Sequence, residues 1–209
     1  MARVLYISYD GILEPLGESQ VLAYLERLAA SHAITLVSFE KAADWADAAR
    51  VASMRERTAR AGIEWVALRY HKRPPVLATA YDLAHGLVRC LALVRRRRIE
   101  IVHARSYVPA ALALALKRMV GTGLIFDMRG FWIDERVAAG SWRHGSLLYR
   151  VTKRVERRLL MEADAVVSLT HAAVAAMRRF PYVQHRPPRF TVIPTCADLE
   201  RFRPPLKNG

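Results

Sequence analysis

The chain has 209 residues, 53% of them hydrophobic, and a formal net charge of +14. That is enough apolar material for one large domain with a sizeable core, while two cysteines, Cys90 and Cys196, leave no disulfide framework and, with no paired CxxC, argue against a metal site. The cationic excess points to a polyanionic partner, whether nucleic acid, an anionic membrane face or a phosphorylated substrate, and charge alone does not choose among them.

The elements alternate from the start. Val4–Ile7 is a short apolar run that leads off without the ordered regions of a signal peptide, so a reducing, cytoplasmic compartment is expected. A loop from Ser8 to Glu18 carries Gly11, Pro15 and Gly17, and a helical pattern follows with Val21, Leu22, Leu25 and Leu28 on one face. Strand, glycine-bearing loop, helix is the opening unit of an α/β ligand-binding domain, and open α/β sheets take ligands at the carboxyl ends of their strands. The residues Ile34–Phe39 read as a second strand, Asp44–Ala61 as a helix stopped by Gly62, and Ile63–Leu68 as a third strand. The run Val76–Val94 is apolar enough to raise the question of a membrane span, but Asp82, His85 and Arg89 favour a packed amphipathic helix reaching Arg97. Ile99–Ala104 is a fourth strand, Pro109–Met119 a helix closed by Gly121, and Leu124–Met128 a fifth strand. Arg129–Gly145 looks irregular. Ser146–Glu162 reads as a helix with Leu147, Leu148, Val151, Val155 and Leu159 inward, Ala165–Leu169 as a sixth strand, a short helix capped by Thr170 runs to Arg179, and Phe190–Ile193 is a seventh strand.

Seven short apolar strands separated by helices predict an α/β fold: a doubly wound, mostly parallel, seven-stranded Rossmann-like sheet with helices on both faces. The first loop lacks the GxGxxG spacing of a dinucleotide site, and Glu40 only loosely matches the acidic residue expected after the second strand. Gly11 and Gly17 serve either a ligand loop or a turn that needs positive φ, and Glu14 and Glu18 would repel a phosphate unless they point away.

The tail Val192-Ile193-Pro194-Thr195-Cys196-Ala197-Asp198-Leu199-Glu200-Arg201-Phe202-Arg203-Pro204 resembles the "IPNGVDxxxFxP" segment of glycosyltransferase family 4, matching at Ile193, Pro194, Asp198, Phe202 and Pro204. Thr195, Cys196 and Ala197 replace the usual Asn, Gly and Val. Ile101–Ser106 resembles that family's "VVHAHS" strand end, Phe126–Glu135 its "D-x-R-D-L-W-P-E" segment, and the opening Ser8–Gln20 looks like one of its subgroups. The resemblance implies one half of a GT-B fold. Residues 1–194 would be the acceptor-side domain and residues 195–209 the start of an interdomain linker. The carboxyl-terminal donor domain, with its two-glutamate motif, would be absent, leaving a fragment inactive alone. It implies a retaining, nucleotide-sugar-dependent hexosyl transfer in surface polysaccharide or glycolipid synthesis, with no cofactor beyond the nucleotide-sugar co-substrate and no metal. Gly11, Gly17 and the amides near Ser19 would approach the donor diphosphate, in a loop expected to be mobile. Arg129 occupies the place of the family's sugar-touching histidine, with Asp127 beside it. An arginine there binds hydroxyls or phosphate but cannot act as a base; the alternative is an ion pair with Asp127 or Asp134.

Asp10, Glu14, Arg105 and Trp132 are the expected acceptor or sugar contacts; Trp132 and Trp142 equally suit a membrane interface or a core cover. His103 reads as structural. The basic residues Arg150, Lys153, Arg154, Arg157 and Arg158 fall opposite the expected apolar stripe of their helix, with Arg143 nearby and Arg95–Arg98 as a second cluster; they suit either an anionic membrane surface or a solvated face. Nucleic acid is not expected, since no recognition module is present. The rival reading is a stand-alone Rossmann-like module that binds a nucleotide or phosphoryl ligand without catalysis; a third is a basic scaffold.

Overall fold

A computed structural model describes residues 1–196. The sheet has seven strands, all paired in parallel, in the order β3-β2-β1-β4-β5-β6-β7: β1 (Arg3–Ser8), β2 (Ala33–Glu40), β3 (Ile63–Arg69), β4 (Ile101–Arg105), β5 (Gly123–Met128), β6 (Ala165–Ser168) and β7 (Arg189–Val192). The order reverses at β1, so the chain winds outward from β1 to β3 and then crosses to β4. The crevice at that switch point is where such sheets bind ligands. The side of the tail motif from Ala197 onward lies outside the described residues.

Successive side chains in a strand point to opposite faces, and the core divides accordingly. Leu5, Ile7, Val37, Phe39, Val102, Ala104, Leu124 and Phe126 face a large cluster. That cluster is built with α5 (Pro75–Arg97), α6 (Tyr107–Val120), α8 (Leu147–Glu162), α9 (His171–Arg178) and α10 (Pro181–His185). Tyr6, Ile34 and Leu36 face a smaller one with Leu25 of α2 (Ala23–Leu28) and Met54 of α4 (Ala48–Arg60). Helix α5, the one described helix long and apolar enough to cross a membrane, here buries Ala78, Asp82, Gly86, Cys90 and Val94, one per turn. Gly86 lets it approach closely, because a Cβ there would lie 2.9 Å from Leu112 of α6 and 3.0 Å from Phe39 of β2. The Cys90 thiol, inside this packing, is pushed up to about 12 by burial.

Four local expectations are corrected. The first loop ends earlier: Pro15 opens a helix as α1 (Pro15–Gly17), which continues through a π-helical turn (Glu18–Leu22) into α2. Gly17 and Ser19 are therefore helical, not loop residues. The helix expected over Asp44–Ala61 is two, α3 (Ala42–Trp45) and α4, because the Asp47 side chain accepts from the Arg50 N–H and starts α4 afresh. The irregular stretch after β5 contains α7 (Trp132–Ala138). Helix α8 is rotated from the expected stripe. Leu147, Leu148 and Val151 are 77%, 38% and 43% exposed, and Glu156, Leu159 and Leu160 are buried instead. A glutamate can face inward there because Tyr107 donates a hydrogen bond to it at 2.8 Å and Lys153 another at 2.9 Å.

Candidate active site at the carboxyl rim of the sheet

The loop after β1 is packed down. Ile12 and Leu13 are fully buried, and their N–H groups donate to the Glu40 carboxylate at 2.9 and 3.2 Å. Ser38 donates to the same carboxylate at 2.5 Å, and the Trp65 indole donates to Ser38 at 2.8 Å. Burial raises Glu40 above the usual carboxylate range even though these bonds act the other way. Neither Gly11 nor Gly17 has positive φ. Their smallness serves close approach: a Cβ on Gly11 would meet Glu40 at 2.4 Å, and one on Gly17 would meet the Gly11 carbonyl at 2.0 Å. Ser19 turns its hydroxyl back to the Pro15 carbonyl, 2.8 Å away. The expectation of a mobile loop gives way to one pinned to the end of β2.

Beside this loop the strand ends assemble a polar cluster. The register sets Ser8, Arg105 and Asp127 in line, with Tyr6 and His103 one step back on the same face. Arg105 is 5% exposed and donates to Gln20 at 2.9 Å, with its Nε 3.6 Å from Asp10. Arg129 donates to the same Gln20 oxygen at 3.3 Å and to Thr195 at 3.1 Å, and lies 3.6 Å from Asp127. Asp127 is thus its ion partner; Asp134 is not, being taken by Lys153 at 2.7 Å. His103 packs on Tyr6 with ring centroids 4.6 Å apart and approaches Asp127 at 3.8 Å. Burial, then the Asp127 charge, pushes the Tyr6 phenol upward. Among the described residues, Arg105 Nε, His103 Nε2 and Asp127 Oδ1 are buried without a hydrogen-bond partner. Such atoms cost about 1–3 kcal/mol each, and three together mark a place built for something else. Ser106, next in the chain, has φ 70 and ψ −177, a region essentially reserved for glycine, and its N–H is held by the Asp127 carbonyl at 2.8 Å.

The other expected contacts are dispersed. Glu14 pairs with Lys41 at 2.5 Å and Glu18 with Arg57 at 2.6 Å, so both acids have cationic partners other than Arg105 and Arg129. Asp10 alone of the loop acids faces the cluster. Trp132 lies in an aromatic group, 5.9 Å from the Tyr107 ring and 5.1 Å from Trp142, with Arg136 over its face at 5.3 Å. Of the basic residues on α8, Lys153 is corrected: it turns inward, where burial would lower it but bonds to Asp134 and Glu156 hold it up. Arg150, Arg154, Arg157 and Arg158 are exposed, and Arg157 also covers the Tyr182 ring at 5.4 Å. No described group of three or more His, Cys, Asp or Glu is placed to hold a metal ion.

Two contributors escaped sequence reasoning. Gln20 joins the two arginines because the helix starts early and inserts a π turn there; π turns recur at functional sites. Ser106 carries its signal only in backbone geometry.

The sequence profile of a family described as "Glycosyl transferase 4-like domain" matches residues 17–196. No match is found among curated protein sequences. Among solved structures, sucrose-phosphate synthase from Thermosynechococcus elongatus is similar over 96% of this chain and 49% of its own, at 13% identity and TM-score 0.66. Phytolacca americana UGT2, complexed with UDP-2fluoro-glucose and pterostilbene, is similar over 93% and 54%, at 10% identity and TM-score 0.63. Arabidopsis thaliana UGT89C1, complexed with UDP-L-rhamnose, is similar over 92% and 48%, at 9% identity and TM-score 0.56. The chain therefore spans about half the length of these proteins.

Proposed function

This chain belongs to the glycosyl transferase 4-like family, and from that premise we propose that it is the acceptor-side domain of a retaining glycosyltransferase that draws its sugar from a nucleotide-sugar. The observation that carries the reading is the convergence of Arg105, Arg129, Gln20 and Asp127 at the topological switch point, with buried polar atoms lacking partners. Two guanidinium groups tied to one Gln20 oxygen keep their remaining N–H groups for an anionic ligand. During transfer, the bond from the anomeric carbon to the donor diphosphate breaks and negative charge grows on the departing phosphate. Fixed cations beside it lower that barrier without reorganising. Asp127 holds Arg129 in place, and Asp10 offers a carboxylate to an acceptor hydroxyl. Residues 195–209 lead, on this reading, toward a second domain holding most of the donor.

The test uses a protein that carries this domain together with its donor-binding half. Replacing Arg129 by Ala should lower nucleotide-sugar turnover about 30- to 1,000-fold, the effect of removing one preorganised charge donor, or about 2–4 kcal/mol. Turnover near that of the parent, with folding intact, would remove Arg129 from the chemistry.

The acceptor is proposed to be lipid-linked, in surface polysaccharide or glycolipid synthesis. Helix α8 supports this, since exposed Leu147, Leu148, Val151 and Met161 lie on the same helix as Arg150, Arg154, Arg157 and Arg158. Four arginines at about 1 kcal/mol each near an anionic bilayer give roughly a thousandfold preference over a neutral one. Co-sedimentation with vesicles of each kind reads this directly, and equal binding to both sinks it.

A further inference from the structure

On the opposite face of the same rim lies a second cluster that the transfer chemistry does not use. Asp82 of α5 is fully buried, and both its oxygens are engaged. One accepts the Tyr9 hydroxyl at 2.8 Å and the His71 backbone N–H at 3.1 Å; the other lies 2.6 Å from His71 Nδ1. A carboxylate only accepts, so Nδ1 carries the hydrogen and, in the neutral ring, Nε2 carries the lone pair. The His71 side chain is 34% exposed, although its Nδ1 side is locked. Next to it stands Tyr81, edge-on to the His71 ring at 5.1 Å and stacked on His85 at 6.1 Å, with 58% of its surface open.

A purely structural tie between the segment after β3 and α5 needs Asp82, Tyr9 and the His71 N–H. It has no use for an imidazole whose free nitrogen is fixed outward, nor for an exposed aromatic ring set against it. An oriented acceptor atom beside an open ring face is what a sugar recognises: a hydroxyl donates to the nitrogen while the C–H face of the pyranose lies on the ring. Tyr9 and Asp10 are neighbours, and they reach toward the two clusters in turn, Tyr9 to Asp82 and Asp10 to Arg105.

We propose that His71, oriented by Asp82, and Tyr81 form a subsite for a sugar unit of the acceptor, with His71 Nε2 accepting a hydrogen bond from a ring hydroxyl and Tyr81 stacking beneath it. The assignment rests on the reading of this domain as the acceptor side. His71 acts here as a binding residue; no proton transfer is assigned to it.

The chain labelled with 15N-histidine and 15N-arginine is titrated with methyl glycosides of common hexoses and N-acetylhexosamines at millimolar concentration. The free protein should show His71 protonated at Nδ1 with an unprotonated Nε2, and a binding glycoside should shift that Nε2 resonance and receive saturation from Tyr81. Tyr81→Ala, at an exposed position, should keep the fold and cut the saturation about threefold or more. Asp82→Asn, which turns a donor toward Nδ1 in one rotamer, should abolish the Nδ1-protonated signature. A ring protonated at Nε2 alone, or glycosides that leave His71 unmoved, overturns the subsite. Glycosides that perturb Arg105 and Arg129 but not His71 overturn it while the acceptor-side reading stands. Shifts at His71 with full turnover in Arg129→Ala sustain the subsite and reject the catalytic part of that reading.

Discussion

Glu40 decides whether the wall of the crevice is built before any ligand arrives. Replacing it by Ala leaves the Ile12 and Leu13 N–H groups buried without an acceptor and removes the partner of Ser38. Two stranded amides at about 1–3 kcal/mol each give about 2–6 kcal/mol. Relief of a buried carboxylate offsets part of this, so a loss of about 2–4 kcal/mol is expected. For a domain of this size, that is a fall of about 5–15 °C in Tm. Urea unfolding followed by circular dichroism measures it. A loss below about 0.5 kcal/mol, within the range of an ordinary surface change, would mean that Glu40 does not hold the loop.

The pH dependence tests the same residue through its sign. Burial raises Glu40 above its unfolded value of 4.5. The native state therefore binds the proton more tightly, and Glu40's contribution is fully present below that value and lost as pH rises through the raised one. Glu40→Gln cannot titrate. The stability of the parent relative to Glu40→Gln should thus shrink as pH rises from about 4.5 toward neutrality. A gap that widens instead would show that the amide bonds outweigh burial.

Three further substitutions probe the packing around the site. Gly17→Ala forces a Cβ against the Gly11 carbonyl, which is backbone and cannot rotate away; a loss of about 1–3 kcal/mol is expected by chemical denaturation, and no loss would place the helix start further from the loop. Ser106→Gly relieves a conformation that costs an L-residue about 1–3 kcal/mol, so after glycine's own entropy the protein should gain about 1 kcal/mol in Tm-derived stability; a clear loss would contradict the strain. Glu156→Ala removes the nearer of two acceptors of the Tyr107 hydroxyl, leaving the Gly130 carbonyl at 3.3 Å, and one of two partners of Lys153, and should cost about 1–3 kcal/mol, whereas an unchanged melting curve would mean that this buried side chain contributes nothing.

The seven strands were legible because buried parallel strands are apolar runs bounded by breakers, and each expected run contains or overlaps the observed one. Arg105 drew notice for its place at a strand end, and Arg129 with Asp127 through the resemblance of the segment after the fifth strand; the register and the contacts of Gln20 bring the three together at the rim. What stayed hidden depended on partners distant in sequence. Pro15 and Gly17 look like loop residues, yet one is pre-set for a helix's first turn and the other gives way to a carbonyl six residues earlier. The inward face of α8 was misjudged because Leu147, Leu148 and Val151 are the apolar choice, while Glu156 becomes an inward residue only once Tyr107 and Lys153 are beside it. Glu40 was noticed for its place at the end of β2, but its target is two amides of the first loop and not a ribose.

That last difference changes what the first loop can do. A mobile loop would have to be ordered when a substrate binds, at about 1–2 kcal/mol for each residue fixed. Here Ile12 and Leu13 are already buried and Glu40 already bonded, so the ordering is complete in the folded domain. The loop then acts as a rigid divider. Tyr9 leaves it toward Asp82 on one face of the sheet, and Asp10 leaves it toward Arg105 on the other. Contacts that must adjust during a cycle of binding and release fall to the exposed Asp10 carboxylate, while Arg129 is held by Asp127, by Gln20 and by Thr195 at the start of the tail. Because Arg129 joins the rim cluster to that tail, a change in the tail's position would be felt directly by the guanidinium proposed to face the departing phosphate.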